Sequence, residues 1–333
     1  MKAAILYNQQ PIENNPLKIE EIEIPQINEN EILIKVNACG ICHTDLHIIE
    51  GELPPVKMPV IPGHQIVGIV EKIGGKVTKF KVGDKVGVPW LHSTCGKCEF
   101  CKRGKENLCN NAKFTGYHVN GGFAEYSKVS EDFAYRLPEN LSNLNIAPLL
   151  CGGVIGYRAL KLSEIKPGER LGLYGFGASA HIVIQIALYW NCEVYVFTRS
   201  EAHRTLASKL GAVWTGRAED NPPKKMHTSI IFAPAGYLVR EALRVLEKGG
   251  TIALAGIYMT PIPEIDYSLI YHERKITSVA NSTREDVIEL LKLAKEIPLK
   301  TEIQIFSLEE VNKALQLLKR SEIKGGAGVL KIH

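Results

Sequence analysis

The 333-residue sequence predicts an α/β protein in two parts: a β-rich domain and a doubly wound parallel sheet. Three observations predict this. Up to about residue 150 the apolar runs are short, rich in branched residues and separated by glycine and proline. From residue 152 onwards, strand-like and helix-like segments alternate, the pattern of a parallel sheet covered by helices on both faces. Near the C-terminus, a last strand-like segment is available to rejoin the first domain. The expected division is therefore 1–151 with 284–333, and 152–283.

The individual elements follow from local pattern. Met1-Lys-Ala-Ala-Ile-Leu-Tyr has too short an apolar core for a signal peptide and reads as a first strand. Ile32–Ala38 and Ile66–Ile73 are strands, bounded by Pro62-Gly63, Gly74-Gly75 and Val82-Gly83-Asp84. Lys81-Val-Gly-Asp-Lys-Val-Gly87 makes a tight turn between two strands. The second half then reads as strand Arg170–Tyr174, helix Ala178–Trp190, strand Glu193–Phe197 and a helix through Leu210. Strand Thr228–Phe232, helix Leu238–Leu246 and strand Thr251–Ala255 continue the series. Helix Arg284–Glu296, an amphipathic stretch Glu309–Lys319 and strand Gly328–Ile332 complete the chain.

Composition removes several function classes. With 45% hydrophobic residues, 23% charged residues and a net charge of +4, the balance is that of an ordinary globular protein. No Lys/Arg block suggests nucleic-acid binding. No apolar run reaches the length of a membrane span. A cytoplasmic protein acting on a small molecule, without a nucleic-acid or membrane partner, is the expectation.

Four cysteines, Cys95, Cys98, Cys101 and Cys109, fall in one lobe spanning about 92–112. The spacing C-x2-C-x2-C-x7-C brings four thiolates within reach of one cation, the S4 set that structural zinc prefers. The same residues could form two disulfides, although nothing marks the chain as secreted. They could also hold an iron–sulfur cluster.

Strand 170–174 runs into Gly175-Phe-Gly177-Ala178-Ser179-Ala180 and then a helix. This is the dinucleotide fingerprint, with alanine in the third glycine's place. Gly175 permits the tight turn, Gly177 lets the backbone approach a pyrophosphate, and Ala180 allows close packing. The helix N-terminus then offers free N–H groups to the phosphates. At the end of the next strand, where an NAD site carries an acid for the ribose diol, the chain has Thr198-Arg199-Ser200. Arg199 suits a 2′-phosphate, and the two hydroxyls can donate to it. NADP(H) is therefore expected, with NAD(H) as the alternative. Glu201 should open the following helix, and His203 and Arg204 should add positive charge one turn on.

Gly40-Ile-Cys42-His43-Thr44-Asp45-Leu-His47, Pro62-Gly63-His64, the four-cysteine lobe, Cys151-Gly-Gly and the nucleotide turn occur in that order. Together they resemble the zinc-dependent alcohol dehydrogenases of the medium-chain dehydrogenase/reductase superfamily, over essentially the whole chain. The resemblance implies a GroES-like catalytic domain and a Rossmann domain, with the active site in the cleft between them. It implies two Zn2+ per chain: a catalytic one on Cys42, His64 and Cys151, and a structural one on the four-cysteine lobe. It also implies a homodimer or homotetramer.

Roles follow by the same resemblance. Thr44 takes the alcohol proton, which passes through the nicotinamide ribose to His47. Asp45 orients His64, and His43 lies against the pyrophosphate. Ala178, Ser179, Ala255 and Ile257 join Gly175 and Gly177 as cofactor contacts. Leu53, Trp90 and Tyr117 line the substrate pocket, with Ile257 and Thr277 as further lining candidates. Leu53 stands where ethanol-preferring relatives carry tryptophan, which leaves room for longer alcohols. Cys39 and Cys192 are expected to be packed thiols.

Three positions depart from the family pattern. Gln65 replaces a glutamate, Ile155 replaces a threonine, and Gly325-Gly-Ala-Gly328 lacks an arginine. The expected activity is alcohol dehydrogenation or aldehyde reduction. An NAD-linked enzyme of the same family and a non-catalytic zinc- and nucleotide-binding relative are the alternatives.

Overall fold

The structure, a computed structural model, describes residues 1–297 and 299–333. Residue 298, within the segment expected to close the catalytic domain, lies outside the described residues. The chain divides into two compact units. One contains Met1–Cys151, Thr283–Glu296 and Lys300–His333; the other contains Gly152–Ser282 together with residues 297 and 299.

The first unit is built on a seven-stranded sheet. Its path runs through Ile303–Ser307, Ala327–Lys331, Glu31–Ile41, Ile66–Ile73, Lys85–Val88 and Tyr135–Arg136, and Tyr126–Ser130 also pairs with Glu31–Ile41. The central strand begins one residue before the expected Ile32–Ala38 and ends three residues later. The reason is tertiary. The C-terminal strand Ala327–Lys331 pairs antiparallel with its last residues, from Lys331 opposite Ala38 to Gly328 opposite Ile41. Sequence pattern alone placed the end of the strand at the Asn-Ala-Cys-Gly stretch; the returning chain supplies the hydrogen bonds that carry it on to Ile41. That extension delivers Cys42 at the strand's end.

The expected hairpin turn is present. Gly83 adopts a left-handed φ of +92°, and Asp84 accepts the Lys81 N–H at 2.9 Å. Buried side chains of the strands, including Ile32, Ile34, Ile66, Val86 and Phe123, form one core with Leu315 of the amphipathic helix Val311–Lys319.

The second unit is a six-stranded parallel sheet in the order Trp214–Gly216, Glu193–Phe197, Arg170–Tyr174, Met226–Ile231, Leu246–Leu254, Lys275–Ser278. Counted along the chain this is 3-2-1-4-5-6, the doubly wound order in which ligands bind where the winding reverses. That reversal lies beside Arg170–Tyr174, the strand that feeds the glycine turn. Tyr174 and Phe197, both buried, stack face to face at 4.2 Å in the core.

The expected helix Leu238–Leu246 stops at Arg244, and the following strand begins at Leu246 instead of Thr251. The Gly249-Gly250 pair reads as a break in sequence, but it lies inside the strand. Gly249 takes φ +73°, and a Cβ on Gly250 would sit 2.7 Å from the His227 carbonyl. The pairing shifts register there, and this irregularity lets the strand continue. Among the described residues, no helix is long and apolar enough to cross a membrane.

Candidate active site and metal centres

The site begins at a helix N-terminus. Cys42 caps helix His43–Glu50 with extended backbone, and its Sγ accepts the Thr44 N–H at 3.3 Å. Asp45 reaches back, and its Oδ2 accepts the Cys42 N–H at 2.9 Å. This is a capping box with a thiol in place of the usual hydroxyl and Asp in place of Glu. One turn of helix thus presents a sulfur and a fully buried carboxylate side by side. The other carboxylate oxygen, Oδ1, accepts from the Gly63 N–H at 3.2 Å and from His64 Nδ1 at 3.0 Å. Asp45 therefore fixes both the loop that carries His64 and the tautomer of its ring, leaving Nε2 as the donor atom for a metal.

Backbone conformation keeps that loop in place. Gly63 has φ +93°, and a Cβ there would lie 2.4 Å from the buried Phe123 ring. The buried 3-10 turn Ala147–Leu150 leads directly to Cys151. Three residues far apart in sequence meet as a result. Cys42 Sγ lies 3.2 Å from His64 Nε2, Cys151 Sγ lies 3.3 Å from it, and the two sulfurs are 3.8 Å apart. Tetrahedral zinc with Zn–S near 2.3 Å and Zn–N near 2.1 Å separates its ligands by roughly 3.5–3.8 Å. The sulfur pair matches that spacing, and the imidazole lies slightly inside it.

The electrostatics favour a cation at this point. Burial opposes ionisation of Cys42, yet hydrogen bonds from Cys151, His64 and Thr44, together with the adjacent imidazole, hold its thiol well below the ordinary value. Its hydrogen bond with Cys151, burial and its charge in turn hold Cys151 above the ordinary value. Burial also disfavours charge on His64, but the Cys42 and Asp45 charges override it and push the imidazole up to about 10. The Cys42 thiolate and the Asp45 carboxylate thus hold positive charge on the ring between them, and a divalent ion satisfies that demand better than a proton. The residues fit a catalytic zinc.

The neighbouring residues form an aromatic wall. Trp90 meets His64 edge-on, with centroids 4.9 Å apart. Phe114 stacks on Trp90 at 5.1 Å and Tyr117 at 6.0 Å. Tyr117 donates its hydroxyl to the Pro54 carbonyl at 2.6 Å, while the Leu53 N–H bonds the His47 carbonyl at 3.0 Å. Sequence reading singled out Trp90, Tyr117 and Leu53 but missed Phe114 and Phe123, whose positions carry no motif signal. Gln65 is buried, and its Oε1 occupies the space a Cβ on Gly40 would need, at 2.6 Å. Its Nε2 has no partner among the described residues. His43 is exposed, whereas Cys39 and Cys192 are buried thiols pushed up by burial.

In the lobe, Cys95, Cys98, Cys101 and Cys109 place all four sulfurs within 4.8 Å of one another. Neighbouring separations are 3.4 Å for Cys98–Cys101 and 3.5 Å for Cys95–Cys109. All eight cysteines are free, and these distances far exceed a disulfide bond of about 2.05 Å. The enclosed space fits one ion, which disfavours an iron–sulfur cluster and suits structural zinc. Backbone N–H groups of Lys97 and Cys98 pull Cys95 down to about 6, while burial and shared hydrogen bonds with neighbouring thiols push Cys98 up to about 11.

In the nucleotide turn, Gly175 has φ +86°, and its Cβ position is crowded by Ala233 at 3.1 Å. Gly177 caps helix Ala178–Tyr189, and nothing lies within 4 Å of its Cβ position, which leaves the helix end open. Ala178 packs on Gly152, Ser179 is in the helix's first turn, and Ala180 is buried. Arg199 is exposed and Thr198 half-buried.

Ser200 caps helix Glu201–Leu210 by accepting the His203 N–H at 3.3 Å, so only its O–H remains to donate. Arg204 does not stand out as a loose cation: its Nη1 donates to the Thr198 and Arg199 carbonyls at 3.0 and 3.1 Å, bracing their loop. Burial pushes His203 below its ordinary value, which disfavours the positive charge expected of it there. Ala255 bonds the Ile231 carbonyl at the end of strand Leu246–Leu254, Ile257 is exposed, and Ile155 is half-buried in helix Gly152–Leu162.

Comparison with known proteins agrees with this geometry. Residues 28–139 match the family model described as an alcohol dehydrogenase GroES-like domain, and residues 180–296 match that of a zinc-binding dehydrogenase. A probable alcohol dehydrogenase AdhA of Mycobacterium tuberculosis is 43% identical, covering 96% of this chain and 94% of its own. An alcohol dehydrogenase of Geobacillus stearothermophilus is 35% identical over the full length of both chains. A cinnamyl alcohol dehydrogenase structure from Sorghum bicolor superposes with a TM-score of 0.90 at 29% identity, covering 98% of this chain and 97% of that one. The chain belongs to the zinc-dependent alcohol dehydrogenases of the medium-chain dehydrogenase/reductase superfamily. It is an oxidoreductase with that family's GroES-like and Rossmann-type domains, and it uses zinc and a nicotinamide cofactor.

Proposed function

We propose that this alcohol dehydrogenase interconverts medium-sized primary alcohols and their aldehydes, preferring NADP(H). The observation that carries the reading is the convergence of Cys42, His64 and Cys151, with Asp45 behind the imidazole. Zinc held by Cys42, His64 and Cys151 would supply Lewis acidity to an alcohol or carbonyl oxygen, and a nicotinamide cofactor would supply the hydride acceptor or donor. The chain's own residues handle the proton. Thr44 and His47 lie three apart on one helix and so share a face. The Thr44 hydroxyl takes the substrate proton, and His47 passes it on toward solvent. Trp90 and Tyr117 exclude water from one side, and Leu53 leaves room for a longer carbon chain than tryptophan would.

The cofactor preference rests on the acid-free Thr198-Arg199-Ser200 loop, with the exposed Arg199 guanidinium available to a 2′-phosphate. One catalytic and one structural zinc per chain, self-association into a dimer or tetramer, and a cytoplasmic setting belong to the same reading.

The test is a kinetic panel of benzyl alcohol, hexanol and their aldehydes with both cofactors, alongside Arg199→Ala. The expected result is turnover with NADPH favoured, and a KM for NADPH raised about tenfold in the variant while that for NADH is unchanged. Equal effects on both cofactors would instead support an NAD-linked enzyme.

A further inference from the structure

The end of helix His43–Glu50 folds back on itself. Gly51 takes φ +86° and reverses the chain, and the Leu53 N–H returns to the His47 carbonyl at 3.0 Å. Gln9 clamps both sides of this reversal, its Nε2 donating to the Ile48 and Leu53 carbonyls at 2.8 Å each. The Gln9 side chain also fills the space beside Gly51, with Oε1 3.3 Å from its Cβ position. Held between these contacts, Glu52 places its carboxylate on Nδ1 of His47. The imidazole is largely covered, at 13% side-chain exposure, while Glu52 stands at the rim with 47%. Of the other titratable groups of this helix, Asp45 is engaged with His64 and Glu50 with Lys319 and the Ile12 N–H, while His43 lies near enough to interact with both His47 and Glu52.

From this geometry we infer that Glu52 is a positioning residue for His47, selecting the tautomer in which Nδ1 carries the hydrogen and Nε2 the lone pair. A carboxylate can only accept, so the ring must donate from Nδ1, and a neutral imidazole that does so is an acceptor at Nε2. His47 then meets an incoming proton with the correct nitrogen already unprotonated. When it takes the proton at Nε2, Nδ1 stays held by the carboxylate, and release of the Nε2 proton to solvent restores the starting state. The proposal rests on His47 handling the proton in the proposed reaction, and its test separates the two ideas.

Nitrogen-15 chemical shifts of His47 in the zinc-loaded enzyme without cofactor, assigned by comparison with His47→Gln, report its neutral tautomer directly. The expected result is a dominant Nδ1–H form in the parent and in Glu52→Asp, and a majority Nε2–H form in Glu52→Ala. With cofactor and alcohol, kcat should fall about tenfold in Glu52→Ala with KM within about twofold, and Glu52→Asp should recover most of the loss. An unchanged tautomer balance in Glu52→Ala overturns the inference. A changed balance with unaltered kcat upholds the Glu52–His47 pairing and removes His47 from the proton path. Glu52 is half-exposed, and an unaltered melting temperature in both variants shows that the fold is intact.

Discussion

The two cysteine clusters solve one coordination problem at opposite length scales. In the lobe, Cys95 and Cys109 meet across 14 residues; at the catalytic set, Cys42 and Cys151 meet across 109. Closing the longer loop costs about 2 kcal/mol more chain entropy on logarithmic scaling. The local cluster can be gathered by its ion, whereas the distant one needs the sheet and the loops already in place.

Their surroundings differ in the same sense. The lobe sulfurs are supported by backbone N–H groups, as where Cys98 donates to Cys95 at 3.4 Å. The catalytic set is supported by a buried carboxylate that also caps a helix and holds a loop. A structural cluster needs saturation, and four thiolates provide it. The three-residue set instead offers an aimed imidazole and an orienting acid, the arrangement a catalytic zinc with an open position would need.

The comparison can be broken most forcefully at His64. His64→Ala should lower kcat/KM at least about a thousandfold and reduce metal content by one zinc per chain, while lobe zinc stays bound. Elemental analysis beside steady-state kinetics checks both parts. Asp45→Asn should act more mildly, weakening the catalytic metal about ten- to a hundredfold in chelator competition because the ring loses its charged partner.

Cys98→Ser should reverse the pattern. It is expected to release lobe zinc and lower the melting temperature by roughly 5–10 °C, while freshly prepared enzyme keeps most of its specific activity. Loss of turnover in proportion to lobe zinc would show that the two clusters are not independent. The smallest effect is expected from Glu106→Gln. Glu106 accepts from the Arg284 N–H at 2.9 Å and its Nε at 3.2 Å, joining the lobe to helix Arg284–Glu296. Hydrogen exchange at the start of that helix should speed up about tenfold, with zinc content and kcat unchanged.

Much of the fold was legible because periodicity and turn chemistry are local. Strands Arg170–Tyr174, Glu193–Phe197 and Ile66–Ile73 and helix Arg284–Glu296 were read at their observed bounds. The strand through Gly249-Gly250 was misplaced because a register shift depends on the neighbouring strand. Arg204 was read only as added positive charge, because its bracing role depends on two carbonyls that only the folded loop turns toward it. Phe114 was missed for a related reason: stacking on Trp90 requires a meeting of chain segments that leaves no pattern in sequence.

By itself, the sequence determined that four thiols would lie within reach of one ion, that a glycine turn would join a strand to a helix, and which residue types could bind zinc. These properties are fixed by spacing over a few residues, within the reach of local backbone geometry. Only the tertiary structure decided that Cys42, His64 and Cys151 would meet, that Asp45 would fix the ring between them, and that Glu52 would turn back onto His47. Such contacts arise where separate segments converge, and their geometry is set by packing and by the hydrogen bonds of the folded chain.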